Sequence, residues 1–163
     1  MNKLGLLAGI ISVPFLAVLH LPMGNSLLPL HFFEDGVINI GIYGRELPGL
    51  GDELVKVWWF LDGELKVILT GIIMWVFPLI AVILCFVGVA KPPDVGNKIY
   101  SGAFFLSFIG ILLLVIDALF LGQVIVSKTY TFAEFFSGIS VGFWIYSFNL
   151  GIMVLAARTY EEV

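Results

Sequence analysis

The stretch "ILCFVGVAKPPDVGNKIYSGAF", residues 83–104, places a short polar segment between two long apolar ones. The polar segment, residues 91–98, holds two prolines, a glycine and two lysines, and it predicts a tight turn that no helix continues through. Each apolar flank belongs to a segment long enough to cross roughly 30 Å of hydrocarbon. Backbone groups in lipid must be satisfied internally, so both segments are predicted helices. The stretch therefore predicts a helical hairpin in a membrane.

The composition of the whole chain agrees with this interpretation. Of its 163 residues, 60% are hydrophobic and only 12% are charged, whereas a soluble domain has roughly a quarter of its residues charged. The first apolar segment lacks the small residues of a signal-peptide cleavage site, so we expect it to be retained. We expect an all-α integral membrane protein: a single domain, residues 1–163, with four transmembrane helices at about 4–21, 67–90, 99–123 and 135–157.

Charge and cysteine content exclude some function classes. The formal net charge of −4 excludes a generally basic nucleic-acid binder, so the expected partner is the lipid bilayer. Cys85 is the only cysteine, which excludes a disulfide or a cysteine-based metal site within one chain.

The distribution of basic residues predicts the orientation in the membrane. Basic residues on one side of the predicted spans lie in short segments, where the positive-inside rule is strongest; they are Lys3, Lys91, Lys98 and Arg158. Four others lie on the opposite side, three of them in or beside the long loop 22–66: Arg45, Lys56, Lys66 and Lys128. This pattern predicts a cell membrane protein with both termini in the cytoplasm and the long loop outside.

The long loop contains a predicted strand. "GVINIGIYG", residues 36–44, is rich in β-branched residues, and Arg45 and Glu46 are expected to end the strand. An isolated strand is not stable, so a partner strand is required. Residues around 27–33 and the short loop near 124–131 are both candidates.

A short amphipathic helix is predicted next, over residues 52–61. Its apolar residues recur at helical spacing, and Trp58, Trp59 and Phe60 suit the membrane–water boundary. The alternative is that this segment simply extends the second span outward. With the strand, the helix would form a small extracellular cap in the first loop.

Several motifs together resemble the claudin-like tetraspan superfamily. Gly41-Ile42-Tyr43 stands where that family has Gly-Leu-Trp, and Glu46 stands where it has a cysteine. The third span is similar to the family pattern through a set of six residues: Lys98, Gly102, Phe105, Leu106, Ser107 and Gly110. The resemblance implies a four-helix bundle with an extracellular strand-containing cap that contacts other proteins. Without the loop cysteines, the cap would be held by packing and hydrogen bonds alone.

Asp117 is the most distinctive polar residue, because an acid within an apolar span is costly and usually functional. It lies 19 residues beyond Lys98, roughly 28 Å along a helix, and is therefore expected near the outer boundary. The sequence leaves two roles open for Asp117: a polar contact with His20, or a place in an ion or proton path.

The remaining candidates indicate structural roles. Asn149 is expected to be an interhelical hydrogen-bond partner. His20 and His31 lie in a helix and a loop, a weak pattern for haem or metal ligands. The sequence contains no evident nucleophile-and-base set, so neither a catalytic residue nor a metal or cofactor is predicted.

Two hypotheses of different classes follow. The first is a non-enzymatic tetraspan protein that mediates lateral or cell-surface contacts, as a homo-oligomer or as an accessory subunit of a larger membrane complex. Its candidate interaction residues lie in the loop: Gly41, Tyr43, Arg45, Trp58, Trp59 and Phe60. The alternative is a small subunit of an ion-translocating or redox complex, with Asp117 in the pathway. Beside these two, the sequence leaves open a cofactor-bearing enzyme subunit.

Overall fold

The computed structural model describes residues 2–17, 33–34, 39–40, 45–46, 65–122 and 129–159. Helices make up most of these residues, as the sequence predicts. They are α1 (Lys3–Ala17), α2 (Leu65–Val89), α3 (Pro93–Ile116), α4 (Phe132–Gly138) and α5 (Val141–Arg158). Residues Asp117–Leu121 continue α3 as a single π-helical segment, here called the π turn.

The connection between α2 and α3 is shorter than the sequence predicts. The third span was expected to begin near Ile99, but α3 already begins at Pro93. A proline is well tolerated at the first helical position, where its missing N–H would have no partner in any case. Asp94 in the first turn also favours a helix start, because its charge complements the helix dipole.

The four long helices pack as a closed ring. Both α1 and α3 contact α2 and α5. The helices alternate in direction: Asn2, before α1, donates its side-chain N–H to the carbonyl of Ala156 near the end of α5, at 2.9 Å. At the other end of the same pair, the rings of Phe15 and Tyr146 meet edge to face. One end of the bundle, here called the termini end, therefore gathers the start of α1 and α3 and the end of α2 and α5.

Tyr100 holds three of these helices together at the termini end. Its fully buried ring lies between Gly5 of α1 and Gly88 of α2. A Cβ on Gly5 would overlap the ring, and one on Gly88 would lie 2.8 Å from Tyr100 Cζ. Both glycines therefore permit an approach that no larger residue allows.

Three short strands precede α2. They are β1 (Phe33–Glu34), β2 (Asn39–Ile40) and β3 (Arg45–Glu46), which form an antiparallel sheet in that order. Phe33 pairs with Ile40, and Ile40 pairs with Arg45. β1 lies against α4, so the sheet is at the end of the bundle opposite the termini.

This sheet corrects the prediction of one continuous strand over residues 36–44. Since Ile40 pairs antiparallel with Arg45, these two residues belong to different strands and not to one continuous strand. Gly41 and Gly44 lie between the paired residues, and glycine weakens the interior of a strand. Arg45 and Glu46, expected to end the strand, form β3 instead. Two regions were considered as the partner strand, 27–33 and 124–131. The observed partner β1 overlaps the first of them at Phe33. The predicted helix over residues 52–61 lies outside the described residues.

The fourth predicted span is also divided. The sequence predicts one helix over 135–157, whereas the structure has α4 ending at Gly138 and α5 beginning at Val141. Ile139 and Ser140 are extended, with ψ angles of 126° and 167°. Glycine and serine favour helix ends over helix interiors, which accounts for the break.

Two described stretches are long and apolar enough to cross a membrane, Pro93–Leu121 and Val141–Arg158. Two shorter helical stretches, Lys3–Phe15 and Val76–Val89, are also apolar. The outside of the bundle carries large apolar side chains, among them Ile83, Phe105 and Phe148, exposed by 53%, 61% and 70%. Polar side chains such as Ser12 and Asn149 are buried instead.

Candidate functional site

The bundle core contains a polar cluster that joins α1 to α5. Asn149 is fully buried, and its side-chain N–H group donates to the Ser12 hydroxyl at 2.7 Å. The same amide lies 3.2 Å from the carbonyl oxygen of Ala8, to which Ser12 also donates at 2.8 Å. Through these bonds the side chain of Asn149 on α5 is hydrogen-bonded to α1. The carbonyl oxygen of Ala8, which is already bonded within the α1 backbone, therefore accepts from two side chains as well.

The cluster is not fully satisfied. The side-chain carbonyl oxygen of Asn149 is buried and has no hydrogen-bond partner among the described residues. An unpaired buried acceptor is costly, so at this position one half of the amide stabilises the bundle and the other half does not.

A second set of contacts joins α3 to its two neighbours. Ser107 is hydrogen-bonded to the hydroxyl of Tyr146 on α5. On the other side, the hydroxyl of Tyr100 donates to the backbone carbonyl of Cys85 in α2, at 3.4 Å. The described interhelical bonds thus lie between neighbours in the ring.

Asp117 lies at the opposite end of α3 from Tyr100, as its position in the sequence predicts. Its side chain is only 2% exposed, and it is the first residue of the π turn. The backbone carbonyl of Asp117 accepts the N–H of Gly122 at 2.7 Å. Gly122 has φ 60°, a conformation that suits glycine. His20, the partner considered for Asp117, lies outside the described residues.

The π turn is a feature that the sequence analysis missed. Single π-helical segments are rare and frequently occur at functional sites. Here the segment follows an apolar helix, begins at a buried acid and ends at a left-handed glycine. The sequence "DALFLG" contains both the acid and the glycine, but neither specifies a π-helical hydrogen-bond pattern.

The predicted interaction residues in the first loop are mostly not described. Gly41, Tyr43, Trp58, Trp59 and Phe60 lie outside the described residues, as does His31. Arg45 lies in β3, paired with Ile40. Of the six predicted interaction residues, the structure therefore describes Arg45 alone, and a common surface for the set stays a prediction.

A different surface is present on the outer face of α5. Trp144, Phe148 and Leu155 recur at helical spacing and are 56%, 70% and 52% exposed. Gly151 lies among them, and a Cβ there would meet no atom within 4 Å. Glycine weakens a helix by about 1 kcal/mol relative to alanine. Because packing within the described chain leaves room for a larger residue, it does not explain why position 151 is a glycine. We call Trp144, Phe148, Gly151 and Leu155 the α5 outer face.

In the part of the chain that the structure describes, no three histidine, cysteine or acidic side chains lie close enough together to hold a metal ion. Comparison with known proteins gives no relative: no family profile, curated protein or solved structure matches this chain.

Proposed function

We propose that this chain is a non-enzymatic, multi-pass membrane protein that works through lateral contacts with other membrane proteins. The membrane location is supported by the apolar exterior of the bundle and by the few polar side chains that are buried in its core: Ser12, Ser107, Asp117 and Asn149. In water this distribution would leave large side chains such as Phe105 and Phe148 unburied. In lipid it is favourable, because the surrounding acyl chains are as apolar as the side chains.

The same proposal includes four spans and cytoplasmic termini. α2 has 25 residues, about 37 Å at 1.5 Å per residue, enough to cross hydrocarbon. The termini end carries the basic residues of the short segments: Lys3, Lys91, Lys98 and Arg158. The positive-inside rule assigns that end to the cytoplasm. The sheet would then belong to an extracellular cap, as in the claudin-like proteins that the sequence resembles.

The observation that carries the contact function is the α5 outer face. Small residues beside large ones on a membrane helix let a second helix approach closely, and van der Waals packing then drives association. Gly151 provides the small position, and Trp144, Phe148 and Leu155 surround it. The partner is a second copy of this chain or a helix of a larger complex.

The test is truncation of Phe148 to alanine. Phe148→Ala should lower self-association in lipid bilayers, measured by energy transfer between labelled copies, or lower crosslinking to a partner in native membranes. Large aromatic side chains at the centre of an interface typically contribute more than 1 kcal/mol, so we expect a loss of about fivefold or more.

Phe120→Ala is the matched control. Phe120 is 68% exposed, against 70% for Phe148, but it lies on the π turn and not on α5. Equal losses for the two variants would indicate a general effect of removing an exposed phenylalanine. A chain that stays monomeric in both lipid and native membranes would contradict the contact function.

A second candidate function is favoured by Asp117. A buried acid at the start of a π turn at one end of an apolar helix fits a subunit of an ion-translocating complex, with Asp117 in the pathway. Asp117→Asn keeps the size of the side chain and removes its charge. Unchanged ion flux in vesicles containing the Asp117→Asn variant and the whole complex would eliminate this candidate.

A further inference from the structure

A groove between α3 and α5 opens at the termini end of the bundle. It has a volume of about 520 Å³, within the usual range for small-molecule sites. Its lining includes Asn97, Ser101, Phe104, Phe105, Val154 and Arg158, here called the α3–α5 groove. None of these residues belongs to the α5 outer face or to the region around Asp117.

One of the residues that line the groove, Asn97, carries an acceptor that no described protein group satisfies. The side-chain carbonyl oxygen of Asn97 is buried and has no hydrogen-bond partner among the described residues. A buried polar atom of this kind usually has a partner, which can be a water molecule or a ligand. A ligand that reaches this oxygen would supply the missing hydrogen-bond donor.

The groove also contains a positive charge and an apolar wall. Arg158, in the last turn of α5, is exposed and offers a guanidinium that suits a phosphate oxygen. The Ser101 hydroxyl lies one helical turn beyond Asn97 and supplies another polar contact. Further from the termini, Phe104 and Phe105 present aromatic surface. Asp94, the nearest acid on α3, does not line the groove.

We infer that the α3–α5 groove binds one anionic phospholipid whose headgroup carries hydroxyl groups. The phosphate contacts Arg158, a headgroup hydroxyl donates to Asn97, and an acyl chain lies along Phe104 and Phe105. Two features of the groove favour this occupant. The positive charge complements a phosphate, and the polar lining residues lie at the membrane boundary while the aromatic ones lie deeper. The inference rests on the membrane location proposed above, but not on the contact function.

The experiment compares three lipids in nanodiscs. Phosphatidylglycerol has the charge and the hydroxyls, phosphatidylmethanol has the same charge without hydroxyls, and phosphatidylcholine has no net charge. Lipid retained by the intact protein is counted by native mass spectrometry. We expect phosphatidylglycerol to be retained most, and phosphatidylmethanol to be retained more than phosphatidylcholine.

Two variants and one control assign the preference to the groove. Arg158→Gln should weaken retention of both anionic lipids about tenfold, the size expected for a lost charge-assisted hydrogen bond. Asn97→Leu should remove only the preference for phosphatidylglycerol over phosphatidylmethanol. Lys98→Gln deletes an exposed charge at the same end of α3, outside the groove lining, and should change retention less than about twofold. Melting temperatures of the variants verify that each is folded.

Three outcomes would overturn the inference. Equal effects of Arg158→Gln and Lys98→Gln would indicate diffuse surface attraction. Competition by soluble glycerol phosphate at millimolar concentration would indicate a free phosphate site. Insertion without any lipid preference would remove the inference and leave the contact function intact, whereas a chain that does not insert would contradict the membrane location itself.

Discussion

Tyr100 shows how a single residue sets the distance between three helices. Its ring fills the space that Gly5 and Gly88 leave open, and its hydroxyl reaches a carbonyl of α2. The ring is fully buried, and a Cβ on Gly5 would overlap it. The termini end of the bundle is therefore sensitive to one added methyl group.

Gly5→Ala should destabilise the protein by about 1–3 kcal/mol, the usual cost of overpacking a closed core. The free energy of unfolding in mixed micelles is the measurement. Gly102→Ala is the control, because a Cβ there makes only an ordinary contact, 3.9 Å from Leu84 Cδ1, and Gly102 lies outside the α5 outer face; that variant should be neutral or up to about 1 kcal/mol more stable. If Gly5→Ala is as stable as the parent, the Tyr100 ring is not confined as described.

The polar pair in the core permits a second test at the residue scale. A double-mutant cycle with Ser12→Ala and Asn149→Leu isolates the 2.7 Å bond between the two side chains. Hydrogen bonds between membrane helices average about 0.6 kcal/mol and reach about 1.7, so a coupling energy in that range is expected. Coupling near zero would mean that α1 and α5 are held by packing alone.

At the scale of elements, α4 has its own start signal. The Thr131 hydroxyl accepts the backbone N–H of Glu134 at 3.3 Å, and the Glu134 carboxylate accepts the Thr131 N–H at 2.8 Å. This reciprocal pair is a capping box. With only seven residues, α4 has few other hydrogen bonds to stabilise it, so the cap matters more than in a long helix.

Thr131→Ala should loosen α4 without affecting α5. Loss of an N-cap typically costs about 1 kcal/mol, equivalent to roughly fivefold faster opening, which hydrogen exchange of amides 132–138 measures. Amides of α5 should keep their rates, because Ile139 and Ser140 interrupt the helix. Ser137→Ala is the comparison: among the described residues its hydroxyl donates to the backbone carbonyl of Glu134 within α4 and caps no helix end, so its effect should be smaller. Faster exchange throughout α5 would show that the two helices open together.

The helices were predictable because apolar runs and prolines are local signals. The capping box, Thr131 to Glu134, is also visible in the sequence, and so is the Gly138–Ser140 break, although the predicted span ran through it. The helix contacts were not predictable. The sequence does not show which glycines permit close helix approach: a Cβ on Gly102 or Gly110, both in the third-span pattern, would make ordinary contacts at 3.9 and 3.8 Å. Gly5 and Gly88 have that role, because contact depends on how each helix is rotated.

The candidate site was predictable only in part, because contacts between helices do not follow from local sequence patterns. Burial of Asp117 and Asn149 follows from their place in apolar runs. The partner of Asn149 does not, since Ser12 lies 137 residues away and no local pattern connects them. The unpaired carbonyl of Asn97 is likewise a result of tertiary packing.

At the scale of the whole molecule, the alternating helices and the proposed membrane location together predict which residues share a side of the membrane. Cys85 is a buried free cysteine, so Cys85→Ala provides a background for single cysteines at Asp94, Thr131 or Thr159, all of which are exposed. An impermeant maleimide applied to sealed vesicles should label positions 94 and 159 from the same side. Position 131, at the far end of the bundle, should be labelled only from the other side.

The native chain is the control for this labelling experiment, since fully buried Cys85 should not react. Labelling of positions 94 and 159 from opposite faces would contradict the alternating arrangement. Labelling of all three from one face would contradict a membrane-spanning bundle altogether.

The closed ring has a consequence for how the chain is made. The described hydrogen bonds of the N-terminal helix to α5 join residues 137 to 154 positions apart. During translation α1 therefore emerges from the ribosome long before α5 has been synthesised. In the proposed membrane location, Ser12 has only the Ala8 carbonyl of its own helix to bond to until α5 is made. A chain that ends before Asn149 lacks the hydrogen bonds that Asn149 makes to α1.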